Sequence, residues 1–271
     1  MKVTPGNVNT MNDLEESDLN RKKLEFISNN NNILNLYFSS MDIQKLKNTF
    51  LSKFFGRVSR VELRKDQLEE SVFRFSKKCI IIPKQLNLVS GLLVENKVST
   101  NGVFRVNSVP ENIKSFLSVV DSIAEGKVSL DLGLKMINHT FDIIDISESY
   151  KMLFRRCGSP IIPHFFLNMA VAINDSVDPE HKKICCKAIL FALPRANRMI
   201  LENCAYLCTI MASKFHDSSS SKHMNIVGLG VVMTPNLIDF SVEDFEFDFV
   251  KKLSQFVCFL FENFEEIIKI A

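Results

Sequence analysis

The run Ser108-Val109-Pro110-Glu111-Asn112-Ile113-Lys114-Ser115-Phe116-Leu117-Ser118-Val119-Val120 decides the class of this fold. Ser108 is a residue type that caps helix N-termini, and Pro110 is tolerated in a first turn, where no amide hydrogen is needed. Ile113, Phe116, Leu117 and Val120 then recur at spacings of three and four, the stripe of an amphipathic helix. The same grammar repeats outward. Upstream, Pro83 opens a helix with Leu86, Val89, Leu92 and Leu93 inward, and Ile43, Leu46, Phe50, Leu51 and Phe54 share a face that ends at the C′ glycine Gly56. Lys45, Lys47 and Lys53 fall on the solvated side.

Downstream, helical patterns cover about 147–156, 163–174 and 180–191. Pro194 starts a long helix through Leu201, Leu207 and Met211, a serine-rich loop follows at Ser218 to Ser221, and residues 223–233 are helical again. The last pattern, from Val242 to Ile268, carries Phe245, Phe249, Phe256, Phe259, Phe261 and Phe264. Residues 126–146 are ambiguous: Asp142-Ile143-Ile144-Asp145-Ile146 reads either as extended chain or as the start of a helix. Strand signals are few and no long repeat is present. The expected fold is all-α, one helical bundle over residues 41–271. Residues 1–40 are polar and Asn-rich, with Leu14, Leu19 and Leu24 lining at most a short helix, and are expected to be a loosely ordered extension.

Composition excludes several functions. The chain has 271 residues, 46% apolar and 24% charged, with a formal net charge of +2, too small for nucleic-acid binding by bulk electrostatics. Apolar runs such as Ile226–Met233 fall short of the roughly 20 residues a membrane helix needs, and the polar N-terminus has no signal-peptide core, so a cytoplasmic location is expected. The seven cysteines show no paired CxxC spacing, and Cys204 and Cys208 read as small core residues. His139, His164, His181, His216 and His223 are scattered, no nucleophile elbow or phosphate loop exists, and Gly228-Leu229-Gly230 suggests close helix approach. No metal, no cofactor and no self-contained enzyme are expected.

Two basic features stand out. Arg105 lies in Gly102-Val103-Phe104-Arg105-Val106, straight after the turn-like Ser99-Thr100-Asn101-Gly102. A guanidinium cannot shed its proton, so an arginine in an apolar run is either paired to a local carboxylate or held at a rim with its tip outward. Lys151 and Arg155, four apart, share a helix face and repel unless an anion lies between them. Asp145, Glu148 or Glu202 could supply it internally, and a phosphate or an acidic partner surface externally.

The order of these pieces resembles a Rho-type GTPase-activating domain over roughly residues 50–265. The family pattern of glycine, aliphatic residue, Phe-Arg reads here Gly102-Val103-Phe104-Arg105. A helix bearing Lys151 and Arg155 leads into Pro160-Ile161-Ile162-Pro163. Leu193-Pro194-Arg195-Ala196-Asn197 and Pro235-Asn236-Leu237 follow in order, and Phe55-Gly56 with Ile82-Pro83 resemble the family's opening. The resemblance implies that Arg105 is an arginine finger entering the nucleotide site of a GTP-bound Rho-family small GTPase. Lys151 and Arg155 would brace the finger loop and meet the GTPase switch region, and Asn236 would make a further polar contact. Water, Mg²⁺ and nucleotide would belong to the partner, and any membrane contact would be indirect, through the GTPase. The chain also departs from the pattern: Asn107-Ser108 replaces Ser-Gly, Arg156-Cys157-Gly158 replaces Glu-Leu-Pro, and Lys222 and Gly228 stand where asparagines are usual. These departures leave room for a binding module with weak or no catalysis. On either reading Arg105, Lys151, Arg155 and Asn236 should converge on one exposed concave face.

Overall fold

The computed structural model describes residues 9–49, 65–95, 103–216, 224–238 and 246–270. The features read at Phe50, Leu51, Lys53, Phe54, Phe55, Gly56, Gly102, the 218–221 serines, Lys222 and Phe245 lie outside them. The fold is a helical bundle. Its helices are α1 (Glu16–Asn29), α2 (Asn31–Tyr37), α3 (Ser40–Asn48), α4 (Lys84–Glu95), α5 (Pro110–Ala124), α6 (Leu130–Thr140) and α7 (Ile143–Arg155). They continue as α8 (Leu167–Ala172), α9 (Pro179–Ala192), α10 (Arg195–His216), α11 (Ile226–Leu237), α12 (Phe247–Glu262) and α13 (Phe264–Ile268). One antiparallel hairpin, β1 (Leu68–Ser71) with β2 (Ile80–Pro83), pairs Leu68 with Pro83 and Ser71 with Ile80. Among the described residues no helix is long and apolar enough to cross a membrane.

The ambiguous stretch at 142–146 is a helix start. Asp142 caps α7 by accepting from the amides of Ile144 and Asp145, while the Asp145 carboxylate accepts the Asp142 amide at 3.1 Å. This reciprocal box satisfies amides that would otherwise be orphaned. The cap read at Ser108 is a correction. Val109 occupies the N-cap of α5, Pro110 follows in the first turn, and the Ser108 hydroxyl donates instead to Asp145 on α7.

α7 lies at the centre, packed against α4, α5 and α11, with Tyr150, Leu153 and Phe154 buried. α11 and α12 form the closest helix pair. A Cβ at Gly230 would come within 3.0 Å of the Cys258 backbone, so a side chain there would push α12 away. Cys204 and Cys208 sit in the core as read, and burial holds the Cys204 thiol well above its usual pKa.

Residues 9–49 carry helices that join the bundle. α1, α2 and α3 pack on α9, with Leu19, Ile27, Leu34, Phe38, Ile43 and Leu46 buried. Each such side chain contributes roughly 1.5–3 kcal/mol over leaving it exposed. The sequence hides this because the inward face of α1 reads Leu19, Lys23, Ile27: a lysine stands at the middle of the stripe. Ahead of α1, Asn12 reaches α10, donating to Glu202 at 2.6 Å and accepting from Arg198 at 2.8 Å. Glu202 also accepts the amides of Phe75 and Ser76 at 2.8 and 2.6 Å. It is therefore committed to the loop between β1 and β2 and is not the partner of Lys151 or Arg155.

Candidate functional site

Phe104 sets the direction of Arg105. Its φ is +69°, a left-handed conformation that is strained for a bulky residue and costs on the order of 1–3 kcal/mol. Packing holds it there. The phenyl ring is only 2% exposed, and both ends of its peptide are taken by α7. The Phe104 amide donates to Ser147 Oγ at 3.4 Å, and its carbonyl accepts from Lys151 Nζ at 3.2 Å. Two residues past the arginine turn, the Ser108–Asp145 hydrogen bond ties the chain to α7 again, and Asn112 Nδ2 adds a 3.2 Å contact to the same carboxylate. A buried aromatic and three polar ties thus fix the turn while Arg105 itself stands exposed.

Of the carboxylates offered for the basic pair, Glu148 is the one used. Lys151 Nζ lies 2.6 Å from Glu148 Oε2, with both side chains largely buried. Lys151 is thus a buried strut carrying an ion pair and a carbonyl contact together. Arg155, one turn or about 6 Å further along α7, is exposed and turns to a different neighbour. Its Nε donates to Asn236 Oδ1 at 3.1 Å. Asn236 is nearly buried on α11 and donates its own amide to Val232 O at 3.0 Å.

α11 closes the circuit. Gly228 stands in its first turn, where Asn225 caps the helix by accepting the Gly228 amide at 2.8 Å. A Cβ on Gly228 would lie 3.4 Å from Arg105 Nη2 and 3.0 Å from Met224 Cγ. The guanidinium therefore rests over the bare backbone of α11. No ion pair among the described residues involves Arg105. Arg105, Lys151, Arg155 and Asn236 thus lie on one ring of contacts, from the Arg105 turn to Lys151, along α7 to Arg155, across to Asn236 and back along α11 to Gly228. Of the four only Arg105 and Arg155 are exposed, Lys151 and Asn236 being buried beneath the face. Val106 and Val109, 45% and 56% exposed, add apolar surface beside the arginine.

Three contributions were missed in the sequence. Ser147 lies four residues before Lys151, so the four-residue spacing that paired Lys151 with Arg155 extends one step back. Phe104 was read as a flank, whereas it is the anchor. Asn197, quoted only as part of a pattern, is fully buried and donates to the carbonyls of Pro160 and Ile161 at 3.2 and 3.1 Å. The Ile162 amide donates to Leu237 O at 2.9 Å, so the three proline-bearing segments lock together behind the site. Among the described residues no group of His, Cys, Asp or Glu is placed to hold a metal ion.

This architecture matches known proteins. The RhoGAP domain family model matches residues 83–241, from the start of α4 to just past α11. The chain is 27% identical over 146 residues to the Rho GTPase-activating protein gacHH of Dictyostelium discoideum, covering 54% of this chain and 8% of that protein. The chain thus spans a small part of its relative's length. Among solved structures it resembles human Rho GTPase activating protein 15, with a TM-score of 0.55 and 20% identity over 69% of this chain and 83% of that one. It also resembles the BH domain from GRAF, the GTPase regulator associated with focal adhesion kinase, at a TM-score of 0.54 and 18% identity over 68% and 93% of the two chains. At these identities the likeness is one of fold.

Proposed function

The chain belongs to the RhoGAP domain family, and from that membership we propose that it accelerates GTP hydrolysis by a GTP-bound Rho-family small GTPase, with Arg105 as the arginine finger. Hydrolysis takes place in the partner's active site, so the chain acts in trans and holds no nucleotide or metal of its own. As the γ-phosphoryl group loosens, negative charge spreads over its oxygens and the bridging oxygen. A guanidinium delivered there stabilises that charge, and its planar fork meets two oxygens at once. In other GTPases a finger supplied this way is worth about 10³–10⁵ in rate.

The observation that carries this reading is an exposed arginine, free of carboxylate partners among the described residues, on a turn held by Phe104, Ser147 and Lys151. Preorganisation matters because a charge already aimed costs nothing to reorient during reaction. Lys151 braces the turn. Arg155, exposed and held from behind by the buried Asn236, offers a cation on the same ring of contacts, suited to the switch region of the GTPase. Action on such a GTPase puts the domain in the cytoplasm, with membrane contact made only through the partner.

One observation favours a weaker variant of the same function. The bare backbone of Gly228 offers Arg105 no side-chain partner on α11, as a GTPase-binding module with little catalysis would show. Single-turnover GTP hydrolysis by a panel of Rho-type GTPases separates the two. Stimulation by the parent chain that Arg105→Ala removes supports the finger. Binding to a GTP-loaded member without stimulation supports the module, and neither binding nor stimulation across the panel overturns both.

A further inference from the structure

Asp145 is a carboxylate held almost out of water, 5% exposed in the first turn of α7. It enters no ion pair among the described residues. Hydrogen-bond donors meet its charge instead. Oδ1 accepts from the Ser108 hydroxyl and from Asn112 Nδ2 at 3.2 Å, and Oδ2 accepts the Asp142 amide at 3.1 Å. A buried carboxylate needs such donors, and a hydroxyl bonded to an ionised oxygen is among the stronger kinds of hydrogen bond.

The three donors come from three pieces of chain. Asp142 caps α7, Asn112 stands in the first turn of α5, and Ser108 lies between that helix and the arginine, three residues after Arg105. Ser147 and Lys151 hold the turn only at its Phe104 end. Arg105, Val106 and Asn107 are exposed, and the next tie to α7 is the one Ser108 makes to Asp145. Position 108 is also where the chain departs from the family pattern, which has glycine there. A glycine serves a turn by taking up a positive φ at no steric cost. Here Phe104 is the one non-glycine residue with a positive φ among the described residues, so position 108 needs no such freedom and offers a hydroxyl instead.

We propose that Asp145 is a positioning residue for stimulated GTP hydrolysis, acting through Ser108 to hold the second end of the Arg105 turn. This rests on the reading of the chain as a GTPase activator with Arg105 as its finger. With both ends fixed, the guanidinium is presented in one direction. With the Ser108 end released, it is anchored only through Phe104 and spreads over many directions. A displacement of about 1 Å at a reacting centre can cost on the order of 10²-fold in rate, so a tie two residues beyond the exposed segment is enough to matter. Asn112 brings the start of α5 to the same carboxylate and so fixes the frame from which the turn departs.

The test is single-turnover GTP hydrolysis by a responsive Rho-type GTPase, titrated with chain so that maximal stimulated rate and half-saturating concentration are read separately. Beside it, ¹⁵N relaxation of the Arg105 Nε–H group in the free chain reports how tightly the side chain is held. Ser108→Ala is expected to lower the maximal rate about tenfold, leave the half-saturating concentration within about twofold, and loosen Arg105. Ser108→Thr keeps the hydroxyl and should keep the parent rate and the parent relaxation. Asp145→Ala should lose as much as Ser108→Ala, and the double variant no more than Asp145→Ala alone. Ser108→Ala leaves the Asp142–Asp145 cap in place, so it decides should Asp145→Ala fail to fold. A parent chain that stimulates, with Ser108→Ala equal to it in maximal rate, overturns the role of Asp145 and leaves the finger standing. A parent chain that stimulates no GTPase overturns the finger itself. The relaxation of Arg105 then tests the tie alone, and an Arg105 no looser in Ser108→Ala than in the parent overturns it.

Discussion

Lys151 Nζ reaches the carbonyl of Phe104 at 3.2 Å while holding Glu148 at 2.6 Å, so one buried ammonium joins the Arg105 turn to the central helix. Removing it does two things at once. Lys151→Met leaves Glu148 with a poorly solvated, unpaired carboxylate and frees the strained Phe104 peptide. The expected loss is about 2–4 kcal/mol in urea unfolding. Stimulated hydrolysis should fall along with it. A fully stable variant would show that the strut carries no load.

Phe104 pays for its left-handed backbone with packing. Phe104→Ala keeps the positive φ and removes the buried ring, so a loss of about 3–5 kcal/mol is expected. Phe104→Gly removes the ring but relieves the backbone by roughly 1 kcal/mol. Glycine should therefore be the milder substitution in equilibrium unfolding, the reverse of the usual order inside regular structure.

Gly228→Asn places a side chain beside the resting guanidinium. Its Cβ meets Met224 Cγ, a flexible group able to shift, and lies 3.4 Å from Arg105 Nη2. An amide there can accept from Arg105, at a worth of about 1 kcal/mol. Stimulated hydrolysis should rise roughly fivefold. A decrease would mean that the arginine needs the bare surface of α11.

Arg155 and Asn236 should act as a unit. A double-mutant cycle over Arg155→Ala and Asn236→Ala, read as affinity for the GTP-loaded partner, is expected to give a coupling of about 0.5–1.5 kcal/mol. Additive losses would separate the two residues.

Stability should respond to pH through Lys23. Its folded pKa, about 6, lies below the unfolded value of 10.5, so between these limits the unfolded chain holds the extra proton. Unfolding free energy therefore rises with pH across that window, by about 1 kcal/mol per unit from this group, and the penalty is complete below pH 6. Lys23→Met should flatten that slope and raise the melting temperature near neutrality.

Helix identity was legible wherever a cap or proline met an apolar stripe, as at Pro83, Pro110 and Pro194. Those signals are local, depending on amides and side chains within one or two turns. The α1 stripe was not legible because Lys23 interrupts it, and only the surroundings from α3 and α10 make a lysine tolerable there. The hairpin escaped notice because its strands are four residues each and lean on α4 and, for β2, on α10.

Arg105 and the basic pair stood out by residue type and spacing, since permanent charge and helical period are properties of the chain itself, while Asn236 and the role of Arg105 came from the resemblance to a family pattern. Their meeting was not. Which carboxylate takes Lys151, where the Phe104 carbonyl points and what lies beneath Arg105 depend on α7 and α11, brought together from distant parts of the sequence. A side chain's chemistry is written in its residue, but its partner is chosen by packing, and packing is a property of the whole.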